Sequence, residues 1–233
     1  MEFTEGVREL MNAAVRGEAG PELLSRCCGP GLRARRIKRG ERVLHAGFPI
    51  RTVRIMLSGR CHVLTISRDG QSFIAYVNEG FQIFGLTELL CGGDTFTASI
   101  TAEEDCLFAE ADAQRFCALL EGGGDFSGMV LRYLASLVEQ AMQNSVRRRF
   151  AGGYEAVLLY LHERVRQETP PVSVRINRRV LSELLGLNLR TLYRYFDRLE
   201  AEGYAVREHG RLALDSRALG RLEAAAREIY ERM

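Results

Sequence analysis

The sequence has no run of about 18 consecutive apolar residues, so no transmembrane helix is expected. Its opening decapeptide, MEFTEGVREL, is acidic and amphipathic and lacks the apolar core of a secretory signal. A cytoplasmic location with no membrane partner is therefore expected. There is no C-x-x-C; the six cysteines (27, 28, 61, 91, 106 and 117) all lie in the first half, and the single close pair is adjacent. Cytosolic thiols normally stay reduced, and Cys61, Cys106 and Cys117 fall in apolar runs where a thiol serves as a small core residue. No metal site is assigned. Also missing are G-x-S-x-G, G-x-x-x-x-G-K and H-E-x-x-H, the spacings that build a nucleophile elbow, a phosphate loop and a zinc protease helix. The four histidines are scattered and make no triad or metal pair. No catalytic residue is assigned and no enzyme is expected. Lysine occurs once, as Lys38, among 32 basic side chains; this reads as genomic bias.

What is present is divided unevenly. Through Val146 the chain has 15 basic and 18 acidic side chains, and from Arg147 onward 17 and 12. A basic C-terminal part is the electrostatic footprint of a nucleic-acid module. Residues 5–28 read as short helices broken around Gly17–Pro21. From about 33 to 110 come short β-rich runs: RARRIK, RVLHAG, TVRIMLSG, CHVLTIS, SFIAYVN, FTASITA and DCLFAEA. Arg68-Asp69-Gly70-Gln71 is a hairpin signal, since Asp-Gly readily takes the positive φ of a type I′ turn. Regular short strands point to a sandwich or jelly roll.

After Gly122-Gly123-Gly124, Asp125 or Ser127 can cap a long amphipathic helix reaching about Phe150. Its apolar positions include Phe126, Val130, Tyr133, Leu134, Leu137, Val138, Ala141, Met142 and Ser145, spaced by threes and fours. From Val130 to Met142 this stripe either packs on the same helix of a second chain or covers a sheet. Arg147-Arg148-Arg149 either meets phosphates or is a solvated helix end, and Gly152-Gly153 is a candidate hinge. Another helix, YEAVLLYLHERVRQE, stops at Pro170-Pro171, before an extended VSVRI.

In LSELLGLNLRTLYRYFDRLEAEGY, residues 181–204, two helical patterns meet at one glycine. Asn177 caps the first, with Val180, Leu181, Leu184 and Leu185 on one side, and Gly186 ends it in the position where glycine accepts a left-handed conformation. Asn188 caps the second, whose buried stripe is Leu192, Tyr195, Phe196 and Leu199. Opposite lie Arg190, Thr191, Arg194, Asp197 and Arg198. This is the spacing of a helix-turn-helix, in which the second helix enters the major groove. Arg190 and Arg194, four residues apart, can each bond guanine O6 and N7; Asn188 and Thr191 suit phosphate or mixed contacts, and Arg198 is placed in the same interface. YAVREHGRLALDS then reads as a hairpin wing turning at His209-Gly210.

The order of β-rich domain, long helix and winged helix resembles the Crp/Fnr family of bacterial transcription regulators. Gly40-Glu41, Gly47, IMLSGRCHVL with Gly59, Asp69-Gly70, Gly80 and Gly85 carry the likeness in the first half, and the helix-turn-helix carries it in the second. The expected fold is thus α+β: an N-terminal double-stranded β-helix (jelly roll) at 1–124, a long dimerisation helix at 125–150, and a C-terminal winged helix-turn-helix at 151–233. The resemblance implies a homodimer on a palindromic double-stranded DNA operator, with recognition helices about 34 Å apart. It also implies a small-molecule effector in the β domain and, for an activator, RNA polymerase as a partner. A sensor or scaffold whose winged helix meets a protein is the alternative reading.

The cassette that holds a cyclic nucleotide in such proteins pairs a Gly-Glu with a later Arg-Ser. The matching segment here is EGFQIFGLTELLCGGDTFTASI, where Leu86 follows Gly85 and Phe96-Thr97 stands at the Arg-Ser place. A buried phosphate without a cation is costly, so cyclic AMP bound in the usual way is not expected. Glu88 could replace the carboxylate, but no nearby arginine replaces the other half. An apolar pocket around Phe84, Gly85, Leu86, Glu88, Phe96 and Thr97 is the candidate effector site, its ligand unknown. Cys27-Cys28 are too close for a cluster ligand set; haem would take His45, His62 or a cysteine as axial ligand, although a lone histidine is more often a surface or core residue, and no cofactor is assigned. In the recognition helix only Thr191 and Arg194 keep the family's Arg-Glu-Thr and later Arg, with Leu189 at the first place, so the usual half-site is not assumed.

Overall fold

The computed structural model describes residues 1–66, 72–150 and 152–232 and divides into two units, Met1–Leu134 and Ala135–Met233. The expected turn at Arg68–Gln71 lies outside the described residues.

The first unit opens with helices α1 (Phe3–Val15) and α2 (Pro21–Cys27). Strands β1 (Leu32–Ile37), β2 (Arg42–Leu44), β3 (Thr52–Ser58), β4 (Arg60–Ile66), β5 (Ser72–Glu79) and β6 (Gln82–Phe84) follow. Helix α3 (Leu86–Leu90), strands β7 (Ser99–Ala102) and β8 (Cys106–Asp112), and helix α4 (Ala113–Glu121) complete the β-rich part. The strands form two four-stranded antiparallel sheets, in the orders β1-β8-β3-β6 and β2-β7-β4-β5. This is the expected jelly roll. Its core holds Val53, Ile55, Cys61, Val63, Ala109 and Phe108, all nearly inaccessible. Filling such a core with side chains of this size stabilises by about 1.5–3 kcal/mol each. All six cysteines are unbridged, and burial pushes the Cys106 thiol up to about 11.

Three differences from the sequence pattern have physical causes. Strand β6 and helix α3 span three and five residues, too short to show a period. The strand expected from Phe96 begins at Ser99, because the Phe96 backbone pairs with the loop at Gly47 and Phe48 instead. RVLHAG is strand only to Leu44; a turn follows, with the Phe48 N–H donating to His45 O.

Helix α5 (Asp125–Phe150) runs 26 residues across the boundary between the two units. Its first turns belong to the first unit, where Phe126 meets Phe116 edge-on with ring centres 5.3 Å apart. The Ser127 hydroxyl does not cap the helix; it donates to Leu120 O at 2.6 Å.

The second unit contains α6 (Gly153–Val165), β9 (Val172–Val174), α7 (Arg178–Leu185), α8 (Leu189–Ala201), β10 (Val206–Glu208), β11 (Arg211–Leu214) and α9 (Ser216–Glu231). The three strands form one antiparallel sheet, β10-β11-β9. Leu161, Val165, Leu181, Leu192, Phe196, Leu199, Leu222 and Ile229 make a single apolar core between helices and sheet.

Candidate nucleic-acid interface and candidate effector site

Helices α7 and α8 are set by their caps. Asn177 Oδ1 accepts from Val180 N at 3.2 Å, and Asn188 Oδ1 accepts from Thr191 N at 2.8 Å. Each bond satisfies one of the N–H groups that a helix start leaves without a partner. Between the helices Gly186 has φ 63°, a left-handed conformation in which a side chain would be strained. Helix α8 buries Leu192, Phe196 and Leu199, with Tyr195 half-buried. At about 100° per residue, this stripe leaves positions 190, 194, 197 and 201 on the opposite side. Arg190 and Arg194 are both exposed, and neither has a bonding partner among the described residues. Thr191 is half-buried beside them, and the side-chain oxygen of Asn188 is engaged in its cap.

Arg198 is differently employed. Its guanidinium carbon lies 4.0 Å from the centre of the Tyr154 ring, and its Nε donates to Glu202 Oε1 at 2.6 Å. These contacts brace α8 against α6, so Arg198, placed in the DNA interface from sequence, is already engaged within the chain although still exposed.

The wing is a two-residue hairpin. β10 pairs with β11 from Val206↔Ala213 to Glu208↔Arg211, and His209 and Gly210 both have positive φ, 49° and 77°, as a type I′ turn requires. Arg207 fastens the wing to α8: its Nη2 lies 2.8 Å from Asp197 Oδ1, and its backbone N–H donates to Glu200 Oε1 at 2.7 Å.

In the first unit, Gly85 stands at φ 87° at the start of α3. A Cβ there would lie 3.1 Å from both Ile50 Cγ2 and Phe96 Cε1. Phe96 is 7% exposed and Phe84 8%, and Phe84 faces Phe108 at 6.2 Å between ring centres. Leu86 is buried as well. Glu88 Oε1 accepts from both the backbone N–H and the hydroxyl of Thr97, at 3.2 and 2.9 Å. Of the six residues named from sequence, Gly85 meets Phe96 and Glu88 meets Thr97, while Phe84 packs toward Phe108 in the core. The acidic member is joined to a threonine hydroxyl and backbone N–H, not to a cation.

The stripe on α5 is split. Val130 is 1% exposed and Tyr133 8%. The Tyr133 oxygen accepts from Ile83 N at 2.9 Å, and its hydroxyl donates to Gln82 Oε1 at 3.2 Å. Burial pushes the Tyr133 phenol up to about 12. Of the two readings of the stripe, these two residues take the second and pack against the β domain. Leu134 and Leu137 are half-buried, while Val138, Ala141 and Met142 are exposed, Val138 at 58% and Met142 at 67%. The side chains of Arg147-Arg148-Arg149 lie outside the described residues.

Residues 34–122 match the model of the cyclic nucleotide-binding domain. No curated protein matches the chain. Among solved structures it is similar to a putative Crp/Fnr-family transcriptional regulator from Eubacterium rectale, at 16% identity and TM-score 0.68 over 91% of this chain and 94% of that one. The c-di-GMP-responsive global regulator of Xanthomonas campestris matches at 18% and 0.62, over 80% of this chain and 95% of that one. A Crp/Fnr-family regulator from Thermus thermophilus matches at 17% and 0.62, over 84% and 98%. The chain has the Crp/Fnr fold.

Beside Leu189, which the sequence already marked as a departure at the first place of the helix, the candidate interface holds two side chains not singled out from sequence, Tyr193 and Arg178. Leu189 and Tyr193 are 45% and 42% exposed on α8, and Arg178 lies over the Tyr193 ring at 5.1 Å. The signal was available: positions 189 and 193 repeat the spacing of 190 and 194, one residue earlier.

Proposed function

We propose that the chain is a homodimeric, sequence-specific DNA-binding transcription regulator of the Crp/Fnr type. The observation that carries this reading is the pair Arg190 and Arg194, exposed and without partners among the described residues, on the outward side of a capped helix, next to an anchored wing. Two guanidinium groups one turn apart match the major-groove edge of guanine. The basic balance of the residues from Arg147 onward supplies the attraction to phosphates.

Its effector is a small molecule other than cyclic AMP bound in the usual way. Leu86 and Phe96 give the cassette an apolar lining, and Glu88 is satisfied by Thr97. The dimer forms through α5 beyond Tyr133, from Leu134 and Leu137 to Met142. An operator selected from random DNA tests the reading: it should be palindromic and bound with steep salt dependence. Arg190→Ala and Arg194→Ala should each weaken it about ten- to a hundredfold in a mobility-shift titration. Unchanged affinity in both variants, or selection without an enriched motif, overturns it; the latter result favours a protein partner for the winged helix.

A further inference from the structure

We infer that Leu189 reads the 5-methyl group of a pyrimidine in the major groove of the operator, an assignment that rests on the DNA-binding function proposed above. Leu189 is the first residue of α8, and the N-terminal end of a recognition helix is the part that meets base edges. A lone exposed leucine needs no explanation. Here, however, Leu189 begins an apolar row, with Tyr193 one turn on. That row lies directly beside the cationic row of Arg190 and Arg194, so one surface offers hydrogen-bond donors and the strip next to it offers carbon.

The two members of the apolar row differ in what already covers them. Arg178 sits over the Tyr193 ring and its Nη1 donates to the tyrosine hydroxyl at 3.4 Å. Leu189 has no ring stacked on it among the described residues and is 45% exposed. In the major groove the apolar group that base edges offer is the methyl on carbon 5 of thymine; 5-methylcytosine presents the same group at the same place. Burying one methyl against a leucine is worth about a three- to fivefold change in affinity per contact. The adjoining Arg190 and Arg194 bring the necessary complementarity to the polyanion, which an apolar protein groove would not match. Leu189 is thus a specificity-determining residue that favours a 5-methylpyrimidine beside the arginine-read bases.

The test uses the full chain and an operator obtained by selection from random duplexes. Each thymine is replaced in turn by deoxyuridine, which removes only the methyl, and each cytosine by 5-methylcytosine, which adds it. Expected is a three- to fivefold loss at one thymine per half-site, or a gain of that size at one cytosine; the arm that responds identifies the source of the methyl. Leu189→Ala should abolish the dependence and Leu189→Met should retain it, with unchanged circular dichroism showing that both fold. Equal affinity for methylated and unmethylated operators at every position overturns the assignment, as does a dependence that persists in Leu189→Ala. Both of those results leave the DNA-binding reading intact, whereas failure to enrich any motif removes that reading and this one together.

Discussion

The Tyr154 hydroxyl donates to Glu202 Oε2 at 2.8 Å, while the same carboxylate pairs with Arg198, whose guanidinium covers the Tyr154 ring. Tyr154 is 9% exposed. Burial, then the Glu202 carboxylate, hold its phenol far above the ordinary range. The hydroxyl therefore keeps its proton at neutral pH, and its hydrogen bond to Glu202 joins α6 to the far end of α8.

Tyr154→Phe should lower the stability of the winged-helix unit by about 1 kcal/mol, the net worth of one such bond. Urea unfolding measures it. Because the triad faces α6, operator selectivity should be unchanged; a shift in base preference would mean that Arg198 reaches the DNA after all.

In the β domain the buried Arg60 pairs with Glu103 at 2.9 Å and with Glu79 at 2.7 Å, and His62 Nδ1 lies 3.4 Å from Glu103. Burial opposes ionisation of Glu103, but the nearby His62 ring and the Arg60 guanidinium that pairs with it outweigh this, so it titrates below the usual 4.5. A carboxylate with a depressed folded value contributes stability above its unfolded value and loses it as pH falls through the folded one. Wild-type stability should decline below pH 4.5, and Glu103→Gln should decline less steeply over the same interval while being less stable at neutral pH. Denaturation midpoints between about pH 3 and 7 decide it; parallel curves would remove Glu103 from the account.

The two halves of α5 should respond oppositely to substitution. Phe126→Ala opens a cavity beside Phe116 and should cost about 3–5 kcal/mol of stability with the assembly state kept in the surviving folded fraction. Met142→Glu places a charge on the exposed half and should yield folded monomers in sedimentation equilibrium. A Met142→Glu chain that remains dimeric would place the interface elsewhere.

Cyclic AMP should leave the melting temperature unchanged at concentrations where a ligand in hundredfold excess over its dissociation constant would add about 2.7 kcal/mol. The proposed effector site has Leu86 and Phe96 where a cyclic nucleotide cassette would carry its carboxylate and cation, and the Phe96 ring lies against Gly85. A clear upward shift would show that another arginine reaches the site.

Both helix caps, the left-handed Gly186 and the hairpin at His209-Gly210 were legible because each depends on local chemistry within four residues. The jelly roll was legible as a class from its strand spacing. Strand β6, helix α3 and the true start of β7 were not, since they are fixed by pairing with distant segments such as Gly47-Phe48. The same limit governed the sites. The stripe from Val130 to Met142 has one period throughout, and nothing local says that Val130 and Tyr133 meet a sheet while Val138 and Met142 stay open. Arg198 likewise looks like Arg194 until Tyr154 is brought beside it from 44 positions earlier in the chain.

If the chain binds DNA as proposed, Arg207 leaves the wing little to do on association. With its side chain against Asp197 and its backbone held by Glu200, the hairpin is ordered in advance, in register with the recognition helix. Association should then carry the heat-capacity change of surface burial alone, without the larger increment of a segment that folds as it binds. The wing would act as a fixed calliper on the duplex, gauging groove geometry that it does not itself reshape.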